Sequence, residues 1–328
     1  MRCPPRISVV PEPVRTAGPL VARLAERAGI RLDEAQRFIA DATCGVDGDG
    51  RWSAFESVVL CPRQNLKSEY AIVRVLAGLT IFDESLIVYS AHQSRSTTKV
   101  FKRLRRAIDR SPELGARIAR VSNRIGAESI ELTTGQSVEC VARSTQTGRG
   151  FTGDCIILDE SHELDGDSLA ALLPMLATRP NPSVLYLLSQ GNERSGHLGA
   201  LRARALDSDP GVCWLEWSMG DDDQVSDERV WAACNPAVPD RISWDYLRKE
   251  FRALGEDRFK VERLGYSSWP SGEGEWEIIS ESAWVAAGQD APGLLAPVPV
   301  LVPAAEPGPF DPFTEWPEGL PPWVRRYD

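Results

Sequence analysis

Between residues 30 and 200 the hydrophobic positions of the chain follow two rhythms: short unbroken apolar runs, and longer stretches with apolar residues every third or fourth position. Unbroken runs rich in Val, Ile and Leu predict strands buried on both faces, whereas the longer spacing predicts amphipathic helices. The runs are "SVVLC" (57–61), "SLIVYSA" (85–91), "SIELTT" (129–134), "SVECVAR" (137–143), "DCIILDE" (154–160) and "SVLYLLS" (183–189). Helices are predicted over "LDEAQRFIADA" (32–42) and "SEYAIVRVLAGL" (68–79), and near 94–110 and 168–178. Alternation of this kind builds a mainly parallel sheet flanked by helices, an α/β fold.

After Asn192 the pattern gives way to Trp-rich acidic segments with helical stretches such as "SWDYLRKEFRALG" (243–255), predicting a small, mostly helical linker subdomain. Beyond residue 290 the last 38 residues hold 10 of the 24 prolines, a density that blocks helices and ladders and predicts a disordered tail. The expected boundaries are an N-terminal extension over 1–30, a core over 31–200, a linker over 201–288 and a tail over 289–328.

Composition narrows the class. With 328 residues and 42% hydrophobic positions the chain can bury at least one large core. Nowhere does an apolar run reach the length of a signal peptide or a membrane span, which predicts a soluble, non-exported protein with no membrane partner. Seven scattered cysteines without paired spacing fit a reducing cytoplasm, and neither they nor His92, His162 and His197 form a metal-ligand pattern. A net charge of −10 argues against coating of DNA by the whole surface. Residues 93–124, however, carry ten basic side chains against two acidic ones, a stripe suited either to a phosphate backbone or to solvent.

The candidate chemistry lies where predicted strands end. "CPRQNLKS" (61–68) occupies the strand-to-helix turn of a P-loop and ends in Lys67-Ser68, but both glycines of GxxxxGK[ST] are missing. A left-handed Leu66 would then cost about 1–2 kcal/mol. The competing reading is an ordinary helix start with Ser68 as the N-cap. At the end of "CIILDE", Asp159 is placed to ligate Mg2+ and Glu160 to orient or deprotonate an attacking water. The interval from Lys67 to Asp159 leaves room for the additional strand of a P-loop NTPase with a catalytic glutamate. Ser189 and Gln190, at a third strand tip, are placed to sense a γ-phosphate.

These segments, together with "LIVYSAHQ" (86–93), "ARSTQTGRGFTGDCIILDESHEL" (142–164) and "VWAACNPAVPDRISWDYLRKEFRALGEDRFKVERLGYSSWP" (230–270), resemble the large terminase subunit of tailed bacteriophages and prophages over most of residues 32–285. The "PRQN-x-K[ST]" loop resembles the deviant Walker A of that family. The resemblance implies an ATPase that moves double-stranded DNA through a portal protein into a procapsid in the host bacterial cytoplasm. It further implies a small terminase subunit as partner and a homo-oligomeric ring on the portal. It assigns Arg63, Gln64, Asn65, Lys67 and Ser68 to the triphosphate of ATP, Ser68 and Asp159 to Mg2+, Glu160 to catalysis, and Ser189 and Gln190 to coupling. It places Gln36 as an adenine reader and Arg149 as a γ-phosphate arginine, with Arg143 as its competitor.

Terminases usually continue into a metal-dependent nuclease. Here the continuation is proline-rich, neither Asp290 nor Asp311 lies on a plausible buried strand, and Asp221-Asp222-Asp223 read as solvated loop charge, so the nuclease is expected to be missing. Two alternatives stay open: a catalytically decayed remnant that keeps only binding or assembly surfaces, and a P-loop helicase outside packaging.

Overall fold

The computed structural model describes residues 1–143, 152–164 and 166–270. Its strands are β1 (Ile7–Val9), β2 (Arg15–Thr16), β3 (Gly45–Val46), β4 (Glu56–Leu60), β5 (Leu86–Ala91), β6 (Ile118–Ser122), β7 (Ala127–Leu132), β8 (Ser137–Ala142), β9 (Cys155–Asp159), β10 (Ser183–Leu188) and β11 (Val212–Glu216). Its helices are α1 (Gly18–Arg27), α2 (Glu34–Thr43), α3 (Lys67–Thr80), α4 (Ser94–Asp109), α5 (Pro112–Gly115), α6 (Gly166–Leu172), α7 (Gly196–Leu206), α8 (Glu228–Cys234) and α9 (Trp244–Leu264).

Among the described residues, nine strands form one sheet in the order β1-β11-β4-β10-β9-β5-β8-β7-β6. The block from β11 to β8 is parallel, and β1, β7 and β6 add antiparallel edges. The expected mainly parallel α/β sheet is therefore present. The strand separating β4 from β9 in space is β10, which follows both in sequence. Strands β5 to β8, which lie between them in sequence, stack on the far side of β9.

Alternating side chains give the sheet two cores. Val59, Ile87, Ile157 and Leu187 pack with α1 to α4, while Val58, Leu60, Ile156 and Tyr186 pack with α6 and α7. Helix α3 approaches β5 closely because Gly78 has no side chain; a Cβ there would lie 2.1 Å from Glu84 Oε2 and 2.5 Å from Ile87 Cδ1. Beside it, Arg74 and Glu84 form a buried bidentate pair at 2.6 and 2.8 Å.

The sheet runs past both expected boundaries of the 31–200 core, taking β1 from before it and β11 from after it. β11 escapes the run pattern because Trp214 and the charged Glu216 break its aliphatic residues, although Val212 to Glu216 are all buried. The helix expected at 168–178 is α6 followed by a 3-10 turn at Leu173–Leu176, since Pro174 lacks the amide that would continue it. α8 and α9 close a third, smaller core around Trp231, Phe251 and Phe259, whose ring centroids lie 4.9–5.2 Å apart. α9 runs past the expected residue 255 to Leu264 and bends at Gly255.

All seven cysteines are free and buried. Among the described residues, no helix is long and apolar enough to cross a membrane, and no group of His, Cys, Asp and Glu is arranged to hold a metal by itself. The proline-rich tail, with Asp290 and Asp311, and Arg149 lie outside the described residues.

Candidate functional site

The registers align the carboxyl ends of the parallel strands. Leu60 pairs with Leu188 and Glu216, and Asp159 pairs with Leu187 and Ala91, so the 61–68 loop, the Asp159-Glu160 step and Ser189-Gln190 leave the sheet along one edge. That edge is where ligands bind in open parallel sheets.

The loop leaves β4 with the Cys61 amide bonded to Leu188 O at 3.0 Å and enters α3 through Leu66. Leu66 is not left-handed: its φ is −129°. It is 2% exposed and packs into the core shared with α1 to α4. The left-handed residue is Gln64, with φ 61°. The loop therefore places its positive φ two residues earlier than the glycine position predicts, and uses the glycine position for a buried side chain. Ser68 is the second residue of α3 and not its N-cap, and no side chain caps the first turn. An uncapped helix start with its amides pointing outward is suited to an anion.

Lys67 Nζ donates to Cys61 O and to Pro62 O, the latter at 3.3 Å. Burial pulls its ammonium below the usual lysine range, and the Asp159 carboxylate acts the other way. Asp159 accepts from Tyr89 OH at 2.6 Å and from the Glu160 amide at 2.9 Å. Glu160 is left-handed, with φ 51° and ψ 43°, which turns the chain sharply off the strand. A non-glycine residue held there stores about 1–3 kcal/mol, a cost that clusters at functional positions. Its carboxylate lies 3.4 and 3.5 Å from Ser96 Oγ on α4.

Ser189 and Gln190 follow the last residue of β10 and are 7% and 9% exposed. The Gln190 Oε1 is buried without a hydrogen-bond partner, an uncommon condition for an interior amide oxygen. Gln36 is buried, and both of its polar atoms are engaged: Oε1 accepts from the Asp33 amide at 3.1 Å, closing a capping box, and Nε2 donates to Leu66 O at 3.2 Å. As placed, it supports the loop, and its amide keeps a second N–H and a second lone pair for a further partner in the cleft.

A cleft of about 500 Å³ gathers these groups. Gln36, Arg63, Gln64, Asn65, Lys67, Ser68, Asp159, Glu160 and Ser189 all line it; Gln190 is not a lining residue. Sequence reasoning missed Arg31, Arg103 and Arg241, which also line it. Arg241 comes from the turn before α9 and Arg103 from mid-α4, so no local motif marks either. The donors Ser68 and Asp159 are hard oxygens, the kind that Mg2+ accepts alongside phosphate oxygens, and they fit that ion.

The fold matches the crystal structure of the HK97 bacteriophage large terminase with a TM-score of 0.66 at 20% sequence identity, over 77% of this chain and 55% of that one. The chain has a large-terminase fold. The large terminase ATPase domain of Thermus phage P74-26 matches with a TM-score of 0.52 at 16% identity, over 74% of this chain and 96% of that domain. Thus the chain spans about half the length of the HK97 terminase and most of a terminase ATPase domain. No protein-family model and no curated protein matches the sequence.

Within this terminase fold, Arg143 donates to Asp159 O at 2.7 Å and reaches Ser90 O and Glu160 O at 3.5 Å. It braces the backbone beneath the two acids. Part of the basic stripe forms one face of α4: Arg95, Lys99, Lys102 and Arg106 are exposed at intervals of about one helical turn, while Val100, Phe101, Leu104 and Ala107 are buried on the opposite side; Arg110, Arg117, Arg120 and Arg124 lie beyond the helix.

Proposed function

We propose that this chain carries the ATP-hydrolysing motor of a terminase, which drives double-stranded DNA through a portal into a procapsid in the bacterial cytoplasm. The observation that carries this reading is the convergence of Lys67-Ser68 and Asp159-Glu160 on one cleft at the carboxyl edge of the sheet, despite the missing glycines. Lys67 leaves its carbonyl partners for the β and γ phosphates, and the amides of the first α3 turn face the same anion. Ser68 and Asp159 hold Mg2+, which supplies charge neutralisation on the phosphate oxygens. Glu160 turns from Ser96 to a water and accepts its proton as the water oxygen bonds to the γ-phosphorus; the bond from that phosphorus to the β–γ bridging oxygen breaks, and ADP and phosphate leave. Ser189 lies between the two motifs and registers loss of the phosphate. The exposed α4 face follows the DNA backbone without reading bases, and Arg149 is proposed to stabilise γ-phosphate charge. Assembly as a ring on the portal with a small terminase subunit completes the reading.

Mg-ATP hydrolysis by the purified chain, measured with and without linear duplex DNA, tests it. Hydrolysis is expected, with stimulation by DNA that fades at high salt as counterion release dictates. The double variant Lys99→Glu/Arg106→Glu is expected to lose the stimulation and keep basal turnover. Equal stimulation in that variant removes α4 from the DNA path. Failure of the wild type to bind Mg-ATP removes the motor reading and favours a decayed remnant.

The Lys67 environment adds a pH dependence. In the free protein its ammonium titrates below the 10.5 of an ordinary lysine, and a bound triphosphate favours the charged form. Nucleotide affinity is therefore flat on the acid side of that depressed value and falls by up to about tenfold per pH unit above it. Calorimetric titrations across the alkaline range check this. Constant affinity up to the ordinary lysine value excludes Lys67 as the phosphate-binding cation.

A further inference from the structure

The residues that shape the phosphate loop are not all in the cleft. Asn65 is 5% exposed, and its side chain reaches out of the loop into the α8–α9 subdomain: Nδ2 donates to Asn235 Oδ1 at 2.9 Å, and Oδ1 accepts from the Ala237 amide at 3.0 Å. The same Nδ2 lies 3.2 Å from Pro62 O and 3.2 Å from Arg63 O. Arg263, held by Glu250 at 2.7 and 2.8 Å, donates to Arg63 O at 3.1 Å, and Arg241, paired with Asp33, donates to Asn65 O. Asn235 and Arg263 are buried at 0% and 3% exposure, and neither lines the cleft. In a trans peptide the carbonyl and the following amide point in opposite directions. Fixing the carbonyls of Arg63 and Asn65 toward the helical subdomain therefore turns the amides of Gln64 and Leu66 the other way, in the manner of a nest that binds anions.

We infer that Asn235 and Arg263 are positioning residues for the phosphate loop, and that the α8–α9 subdomain supplies by side-chain contact the backbone shape that glycines supply elsewhere. Anion binding in the loop and docking of α8–α9 on the sheet then form one coupled equilibrium, and coupling of this kind is reciprocal. The inference rests on the phosphate-site reading above.

Calorimetric titration of the full chain with Mg-ATP tests it. Asn65→Ala and Asn235→Ala are each expected to weaken binding by about five- to tenfold, and the double variant to bind within about twofold of either single one, because both remove the same link. Arg263→Lys keeps a charge beside Glu250 but loses the planar fork that also reaches Arg63 O. It is expected to weaken binding severalfold without unfolding, and it carries the test should Asn235→Ala fail to fold. In the wild type, Mg-ATP is expected to slow amide exchange in α9, and to have no such effect in Lys67→Ala. A merely structural role predicts something else: lower melting temperatures for Asn235→Ala and Arg263→Lys with Mg-ATP binding within twofold of the wild type. That result, or additive weakening in the double variant, overturns the inference. Absence of Mg-ATP binding by the wild type itself overturns the phosphate-site reading, and this inference with it.

Discussion

Glu160→Gln is expected to bind Mg-ATP as the wild type does and to hydrolyse it about 10²–10⁴-fold more slowly, the usual contribution of a positioned general base. The substitution keeps the side-chain shape and the Ser96 contact but removes the oxygen that accepts a proton. Lys67→Ala is expected to fail one step earlier. It deletes the ammonium that bridges Cys61 O and Pro62 O, so both affinity and turnover fall. Measuring nucleotide affinity alongside single-turnover hydrolysis separates the two variants. A Glu160→Gln protein that turns over at the wild-type rate would assign the proton transfer to another group and leave Glu160 a turn residue.

The second large effect runs against intuition. Restoring the consensus glycine, Leu66→Gly, is expected to destabilise the protein by about 3–5 kcal/mol, because it empties a buried leucine site and loosens the backbone at the start of α3. Leu66 sits in the core at 2% exposure with a negative φ, so a glycine there has no strain to relieve. Gln64→Gly is the matched control. Gln64 is exposed and carries the positive φ, so this exchange is expected to be neutral or to stabilise by up to about 1 kcal/mol. Chemical denaturation of the two variants decides the matter; equal stabilities would mean that the loop repacks around a glycine at either position.

These variants mark where sequence reasoning stops. Buried strands and amphipathic helices were legible because periodicity records which faces meet the core, and this was enough to place Asp159 and Ser189 at strand ends and Lys67 at a helix start. The location of the loop's strain was not legible, because it depends on which carbonyls find partners, and those partners come from Arg263 and Arg241, far away in sequence. The bonds that hold Gln36 were hidden for the same reason. Its position beside the loop was visible, but its bonds to Asp33 and Leu66 depend on how α2 lies against α3. β1 and β11 were missed because one is a three-residue edge strand and the other is broken by Trp214 and ends in the charged Glu216.

The place of β10 between β4 and β9 sets a distance. Adjacent strands lie about 4.8 Å apart, so the tips bearing the lysine motif and the acid pair are held about 10 Å from one another. On the proposed reading, this span leaves room for a water between the triphosphate and Glu160, so the order of the strands serves the same hydrolysis as the side chains they carry.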